Sequence, residues 1–213
     1  MSPALLLIDL QNDFMPFGGL AVAEADAVIP VANTLIPQFK KVVATQDWHP
    51  ADHGSFAANH PWRKPGQVIE LNGLPQVLWP MHCVQGSFGA EFAPTLDTAN
   101  FTKVFPKGTD AGIDSYSGFY DNGHRKSTGL AEWLHKAEID TLYVMGVATD
   151  FCVKFSVLDA LAEGFAVSLI TDGCRGVNLE AGDSERALAE MKGAGAKLIV
   201  SEEVAGILTE ERA

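Results

Sequence analysis

A three-layer α/β/α fold around a parallel sheet is what this sequence predicts, on three observations. Short apolar runs alternate with stretches of helical periodicity, which is the mark of successive βα units. The hydrophobic share is 47% and the charged share 20%, enough apolar surface for a large core in a chain of 213 residues. Reactive side chains stand where the apolar runs end, the edge of an open parallel sheet at which ligands bind.

The expected strands are 4–8, 41–45, 100–105, 141–147, 165–170 and 197–200, each a short apolar run. Helical patterns fill the gaps at 26–39 (despite Pro30 and Pro37), 127–136 and 184–192. Phe151, Phe155, Leu158 and Ala162 recur at helical spacing and predict the buried stripe of a further helix. One stretch, 47–99, breaks the rhythm and is rich in Pro, Gly, His and Trp. A connection that long is usually functional, and it lies within what reads as a single domain spanning 1–213.

Fifteen Lys and Arg stand against 27 Asp and Glu, for a net charge of -12. That excess of acid disfavours nucleic acid, whose phosphates need a positive surface. No apolar run reaches the ~20 residues of a membrane span, and the start lacks the basic flank of a signal peptide. Three cysteines are too few and odd for a disulfide framework. A reduced, cytoplasmic protein is the expectation, and self-association is left open.

The strand ends carry the chemistry. Cys152 comes after the fourth strand, with Thr149 placed to cap the helix that begins there. Free N–H groups and the helix dipole favour a thiolate in such a turn. Asp9 ends the first strand behind four apolar residues, Leu5 to Ile8, where burial would raise its proton affinity and suit it to accept and return a proton. Lys103, flanked by Val104 and Phe105, is the expected cation beside them. Each residue has an ordinary alternative (a turn cap, a solvated charge, a small core thiol), but their coincidence at one edge favours a catalytic set. Asp47 and His49 alternate on an extended chain and so share a side. With His82 they form an Asp-His-His set that leaves positions open on a divalent ion such as Zn, Fe or Mn. His53 is a weaker fourth candidate, equally suited to support a ligand from behind.

Five blocks then identify a resemblance: IDLQNDF at 8–14, TQDWHPADH with GSF at 45–56, WPMHC at 79–83, GVATDFC at 146–152, and KG at 107–108 with SYSGF at 115–119. Together they resemble the nicotinamidase/pyrazinamidase family of the isochorismatase-like cysteine hydrolases. The resemblance implies a six-stranded parallel sheet in the order 3-2-1-4-5-6. It implies a Cys-Asp-Lys triad falling on Cys152, Asp9 and Lys103, and metal ligands falling on Asp47, His49 and His82. It further implies a cis peptide between Val147 and Ala148, an oxyanion hole from the amides of Ala148 and Cys152, and aromatic walls from Phe14, Trp62 and Tyr116. The implied substrate is a small aromatic amide, nicotinamide or pyrazinamide, in NAD salvage. Phe17 stands where the family tends to carry a small residue, and is expected to reshape the pocket mouth. Two other readings compete: an amidase of the same superfamily acting on a carbamoyl or ureido substrate, and a non-catalytic metal-binding or thiol redox-sensing module built on Cys152 and Cys83. Isochorismatase itself works without the cysteine, so Cys152 argues against that reaction.

Overall fold

The computed structural model describes residues 2–210. Its centre is the strand β1 (Pro3–Ile8), whose last five side chains are all buried. A strand covered on both faces needs such an unbroken apolar run, and each of these side chains contributes roughly 1.5–3 kcal/mol by leaving water. β1 pairs in parallel with β2 (Val42–Asp47) on one side and with β6 (Thr141–Val147) on the other. The full sheet adds β5 (Lys103–Lys107), β7 (Ala166–Arg175) and β8 (Lys197–Ile199) in the order β5-β2-β1-β6-β7-β8. Counting sheet strands alone, this is the expected 3-2-1-4-5-6. The remaining pair, β3 (Val68–Leu71) and β4 (Leu74–Val77), forms a separate antiparallel hairpin inside the irregular stretch.

Strand order reverses between β1 and β6, so right-handed crossovers place helices on both faces. These are α1 (Val28–Leu35), α2 (Leu130–Lys136), α3 (Lys154–Ala162), α4 (Asp183–Gly193) and the C-terminal α5 (Val204–Glu210). The reversal also opens a crevice beyond the ends of β1 and β6, where Asp9 and Cys152 lie. No described helix is long and apolar enough to cross a membrane.

Three expectations fail here for local reasons. The strand expected at 100–105 runs instead through Pro106 to Lys107. β5 is a sheet edge, where a proline's missing N–H costs no ladder bond. The stripe Phe151, Phe155, Leu158, Ala162 is not the buried face of α3; Val153, Val157 and Ala160 are buried and Phe155 is exposed. The cause is the turn before it. Residues Thr149–Val153 form a π-helical turn in which Val153 N–H reaches the Ala148 carbonyl at 3.0 Å. That turn takes up one extra residue and shifts the phase of the helix after it. Its N-cap is Ala148, with no side-chain cap, rather than Thr149.

Gly146 lies beside the end of β1 at φ 134°, and a Cβ there would stand 2.2 Å from the Ile8 carbonyl oxygen. Backbone cannot yield as a side-chain tip can, so Gly146→Ala should cost more than about 2 kcal/mol. Urea denaturation would read that as a lower midpoint, and an unchanged midpoint would mean that β1 and β6 are not held this close.

Candidate active site

Lys107 ends β5 in register with Asp47 at the end of β2. Its Nζ lies 2.6 Å from Asp47 Oδ1 and 3.0 Å from Asp9 Oδ2, and donates to the Ser115 carbonyl at 2.9 Å and to Cys152 Sγ at 3.4 Å. The side chain crosses over β2 to reach β1, and it is 2% exposed. The cation of this site is therefore Lys107, not Lys103. Lys103 pairs with Val43 at the opposite end of β5, about 13 Å away at strand rise, with its exposed amine 4.8 Å over the Phe105 ring.

The two acids are held differently. Asp9 Oδ1 accepts from the Thr45 hydroxyl at 2.6 Å, and Oδ2 faces the Lys107 amine. Burial raises the Asp9 carboxyl above its ordinary range; Lys107 opposes this and the Asp47 charge adds to it. Burial also works against an ionised Asp47, but Lys107 and the two imidazoles outweigh it and hold that group well below the usual range. Gln11 fixes Asp47 from behind. Its amide oxygen accepts the Asp47 N–H at 2.8 Å and its amide nitrogen donates to the Asp47 carbonyl at 2.8 Å. Lys107 loses solvation in the interior, yet Asp47 and Asp9 keep it charged.

Cys152 sits in the π-helical turn after β6, preceded by a cis Val147–Ala148 peptide. Burial pushes its thiol well above the ordinary value; Lys107 pulls it down, and the Asp9 and Asp47 charges push it up again. The helix-start argument for a resting thiolate is thus overridden by two carboxylates and the lack of water. Taking the proton from such a thiol calls for a base beside it.

The second cluster shares Asp47. His49 Nε2 lies 3.3 Å and His82 Nε2 3.5 Å from Asp47 Oδ2. His49 Nδ1 donates to the Gly108 carbonyl at 2.9 Å, and His82 Nδ1 to the Pro80 carbonyl at 2.9 Å. A carbonyl only accepts, so both rings spend a proton at Nδ1 and, when neutral, aim the Nε2 lone pair at a carboxylate oxygen. Three Lewis bases converging on one point are the donor set of a divalent cation. Without one, burial disfavours a charged His49, but Asp47 outweighs that and holds its pKa up at about 9. Gly108 has φ 63°, and a Cβ there would overlap the His49 ring at 2.3 Å, so only glycine lets this carbonyl come so close. His53 lies behind this point. Its ring centre is 4.4 Å from that of His49, and its Nδ1 accepts from the Ser55 backbone N–H at 3.2 Å. It groups with His49 and Asp114 instead of with Asp47 and His82.

A cavity opens between the two clusters, lined among others by Phe14, Leu20, Trp79, Tyr116, Phe151 and Val177. Phe14 and Tyr116 stand where the resemblance puts aromatic walls. Trp62 does not: it is 98% exposed, in a turn at φ 64°. Trp79 takes that place, edge-on to Phe151 with ring centres 4.8 Å apart. Ala148 lines the cavity, whereas Val147 is buried in the core behind it. Phe17 is fully exposed and contributes nothing to the lining. Asp150, buried in the Cys152 turn, accepts the backbone N–H groups of Val177 at 2.9 Å and Asn178 at 2.6 Å, which brings Val177 to the cavity.

A thiol, a carboxylate and an amine in contact at the switch point of a doubly wound sheet, beside a metal-type donor set, define a metal-containing cysteine hydrolase. Residues 3–203 match the family model described as the isochorismatase domain, and the chain belongs to that family, in its nicotinamidase branch. The nicotinamidase of Escherichia coli (strain K12) is 55% identical over 202 residues, covering 92% of this chain and 93% of that protein. A solved nicotinamidase/pyrazinamidase structure from Acinetobacter baumanii superposes with a TM-score of 0.92 at 47% identity, covering 95% of this chain and 98% of that one. The pyrazinamidase of Pyrococcus horikoshii, solved in complex with zinc, gives 0.77 at 38% identity over 94% of this chain and 99% of that one.

The two lysines make opposite predictions. Lys107→Met leaves two carboxylates buried without their counter-ion, a loss of about 3–5 kcal/mol, and should abolish turnover. Lys103→Met removes an exposed amine over a ring, about 0.5–1 kcal/mol, and should leave turnover intact. Thermal melts with an amidase assay on both variants decide the matter; an inactive but stable Lys103→Met would reverse it.

Proposed function

We propose that this chain hydrolyses nicotinamide to nicotinate and ammonia, with pyrazinamide as a second substrate, through a thioester on Cys152. The observation that carries the reading is the Lys107 amine bridging Asp9, Cys152 and Asp47 beneath an aromatic-walled cavity. The relative named nicotinamidase, at 55% identity over nearly the whole chain, supports the same substrate class.

We assign the steps to the chain's own groups. Cys152 Sγ attacks the carboxamide carbon while its proton passes to Asp9, whose raised proton affinity suits it to receive one. The carbonyl π pair moves onto oxygen, and the amides of Ala148 and Cys152 are assigned to meet that charge. Asp9 returns the proton to the departing nitrogen, the C–N bond breaks, and ammonia leaves a thioester. Water then adds to the thioester with Asp9 taking its proton; the C–S bond breaks, nicotinate is released and the thiol is restored. Lys107 stays charged throughout and balances the carboxylates on either side. A divalent ion held by Asp47, His49 and His82 supplies a Lewis-acid point for the pyridine nitrogen or a water. The wall residues Phe14, Trp79 and Tyr116 hold the ring.

A redox-sensing role is disfavoured, because sensor thiols are accessible and of low pKa, whereas Cys152 is 7% exposed and its pKa is raised. We further infer a role in NAD salvage, a cytoplasmic location, and one hydrolase domain carrying its metal-binding loops at 47–99. Self-association is compatible with these readings.

Ammonia release from nicotinamide tests the assignment. Cys152→Ala should lower turnover by about 10⁴-fold or more with an unchanged melt, and Asp9→Asn by about 10³-fold. Activity retained in Cys152→Ala would exclude the thioester route. Chelation should weaken hydrolysis while shifting the melting temperature by only a few degrees, since Asp47 keeps its Lys107 partner; added zinc, iron or manganese should restore the rate. A chelator that unfolds the chain would instead make the ion structural.

A further inference from the structure

The β3–β4 hairpin stands apart from the main sheet, and seven of its eight strand residues are exposed or half-buried. The exception is Gln76, 3% exposed. A buried amide is costly unless its hydrogens are used, and those of Gln76 are oversubscribed. Its Nε2 donates to the Val77 carbonyl at 2.8 Å, to Asp114 Oδ2 at 2.9 Å and to Tyr116 Oη at 3.2 Å. Trp79 Nε1 donates to the same phenol oxygen at 3.2 Å. Gln76 Nε2 has two hydrogens for three acceptors, so it shares its contact with the phenol oxygen with its shorter bonds to Val77 and Asp114, whereas Trp79 Nε1 gives the same oxygen its one hydrogen. The oxygen is pinned from two directions, and the ring plane with it.

Asp114, Tyr116 and Trp79 all line the cavity above Cys152, whereas Gln76 stands behind them. The Tyr116 ring is also held by Phe151 at 5.3 Å and stacked on Phe155 at 5.5 Å. The polar end of this aromatic wall is therefore tied down by Trp79 and by Gln76, a side chain supplied by an otherwise exposed hairpin. We propose that Gln76 is a positioning residue for substrate: by fixing the Tyr116 hydroxyl and Asp114 it sets the aromatic wall against the substrate ring. This rests on the nicotinamide reading above. The hairpin then acts on ring binding and not on the thiol chemistry, since the hydrogen bonds of Gln76 run to its own strand and to the wall.

The test is Gln76→Met, which keeps length and loses both donors. Losing the hydrogen bonds to Asp114 and Tyr116 should raise KM for nicotinamide about tenfold, with kcat within about twofold. Tyr116→Phe, which keeps Gln76 but removes the shared oxygen, should raise KM similarly, and the double variant should show less than the product of the two effects. Nicotinate affinity, measured by calorimetry on the same proteins, should fall in parallel. A purely structural Gln76 predicts a lower melting temperature with kcat and KM unmoved or moving together. An unchanged KM in either folded variant, or multiplicative effects in the double, overturns the proposal. Should Gln76→Met fail to fold, the Tyr116→Phe result alone decides. A wild-type chain that releases no ammonia from nicotinamide removes the parent reading and this one with it; a wild-type chain that does, with KM unmoved in the variants, removes only this one.

Discussion

One buried ammonium holds the site together. The Lys107 amine touches a carboxylate just after β1, a carboxylate from β2, the Ser115 carbonyl and the thiol that comes after β6. Removing such a charge from water costs several kcal/mol, and two acids at 2.6 and 3.0 Å are what offset it. The dependence is mutual. Without the amine, Asp9 and Asp47 would be like charges in a dry crevice, and at least one would be forced to protonate. The cluster divides the acids' labour through their other partners. Asp47 is surrounded by donors and imidazoles, so it stays ionised and serves the cation point. For Asp9, burial and the Asp47 charge outweigh the Thr45 hydroxyl and the shared amine, so its proton affinity rises toward what proton transfer needs.

Much of this is legible in the residues. β1 and β6 are long enough and apolar enough to read directly, and their ends supply Asp9 and Cys152. Asp47 and His49 are visible from alternation, and His82 as the imidazole that completes a set with them. The lysine is misplaced by sequence reasoning because the apolar run is read as ending at Phe105, and only the sheet order reveals that β5 is an edge that can continue through Pro106 to Lys107. The phase of α3 is misjudged because a π-helical turn has no compositional signal. Trp62 and Trp79 cannot be ranked by composition; which one faces the cavity depends on how the loops cross. Thr45, Gln11 and Gln76 are hidden for a similar reason. Each acts by hydrogen bonding to a residue distant in sequence, and a single polar side chain within a strand carries no periodic mark.

The irregular stretch is held in shape by pairing. His49 and Val84 form one isolated parallel bridge, and Phe56 and Trp79 another, so the segment bearing His82 is stitched onto the segment bearing His49. Asp13 adds a third tie, accepting the Cys83 N–H at 2.7 Å with one oxygen and the Gly19 N–H at 2.9 Å with the other. That carboxylate thereby links the loop of Phe14 to the loop of His82. Ring wall and ligand sphere are placed relative to each other by one short acid.

The carbonyls behind the two imidazoles have a consequence for how the protein meets its ion in a cell. Because Gly108 and Pro80 hold the Nδ1 protons, neither ring has to rotate or change tautomer when a cation arrives. What loading asks of the site is the Nε2 proton of His49, whose pKa Asp47 holds up at about 9. The site's mixed oxygen and nitrogen donors can take several first-row ions. Selection by shape is therefore weak, and the ion carried by a given molecule depends on what its surroundings supply. Populations of this protein grown under different metal regimes would carry different ions on an identical scaffold.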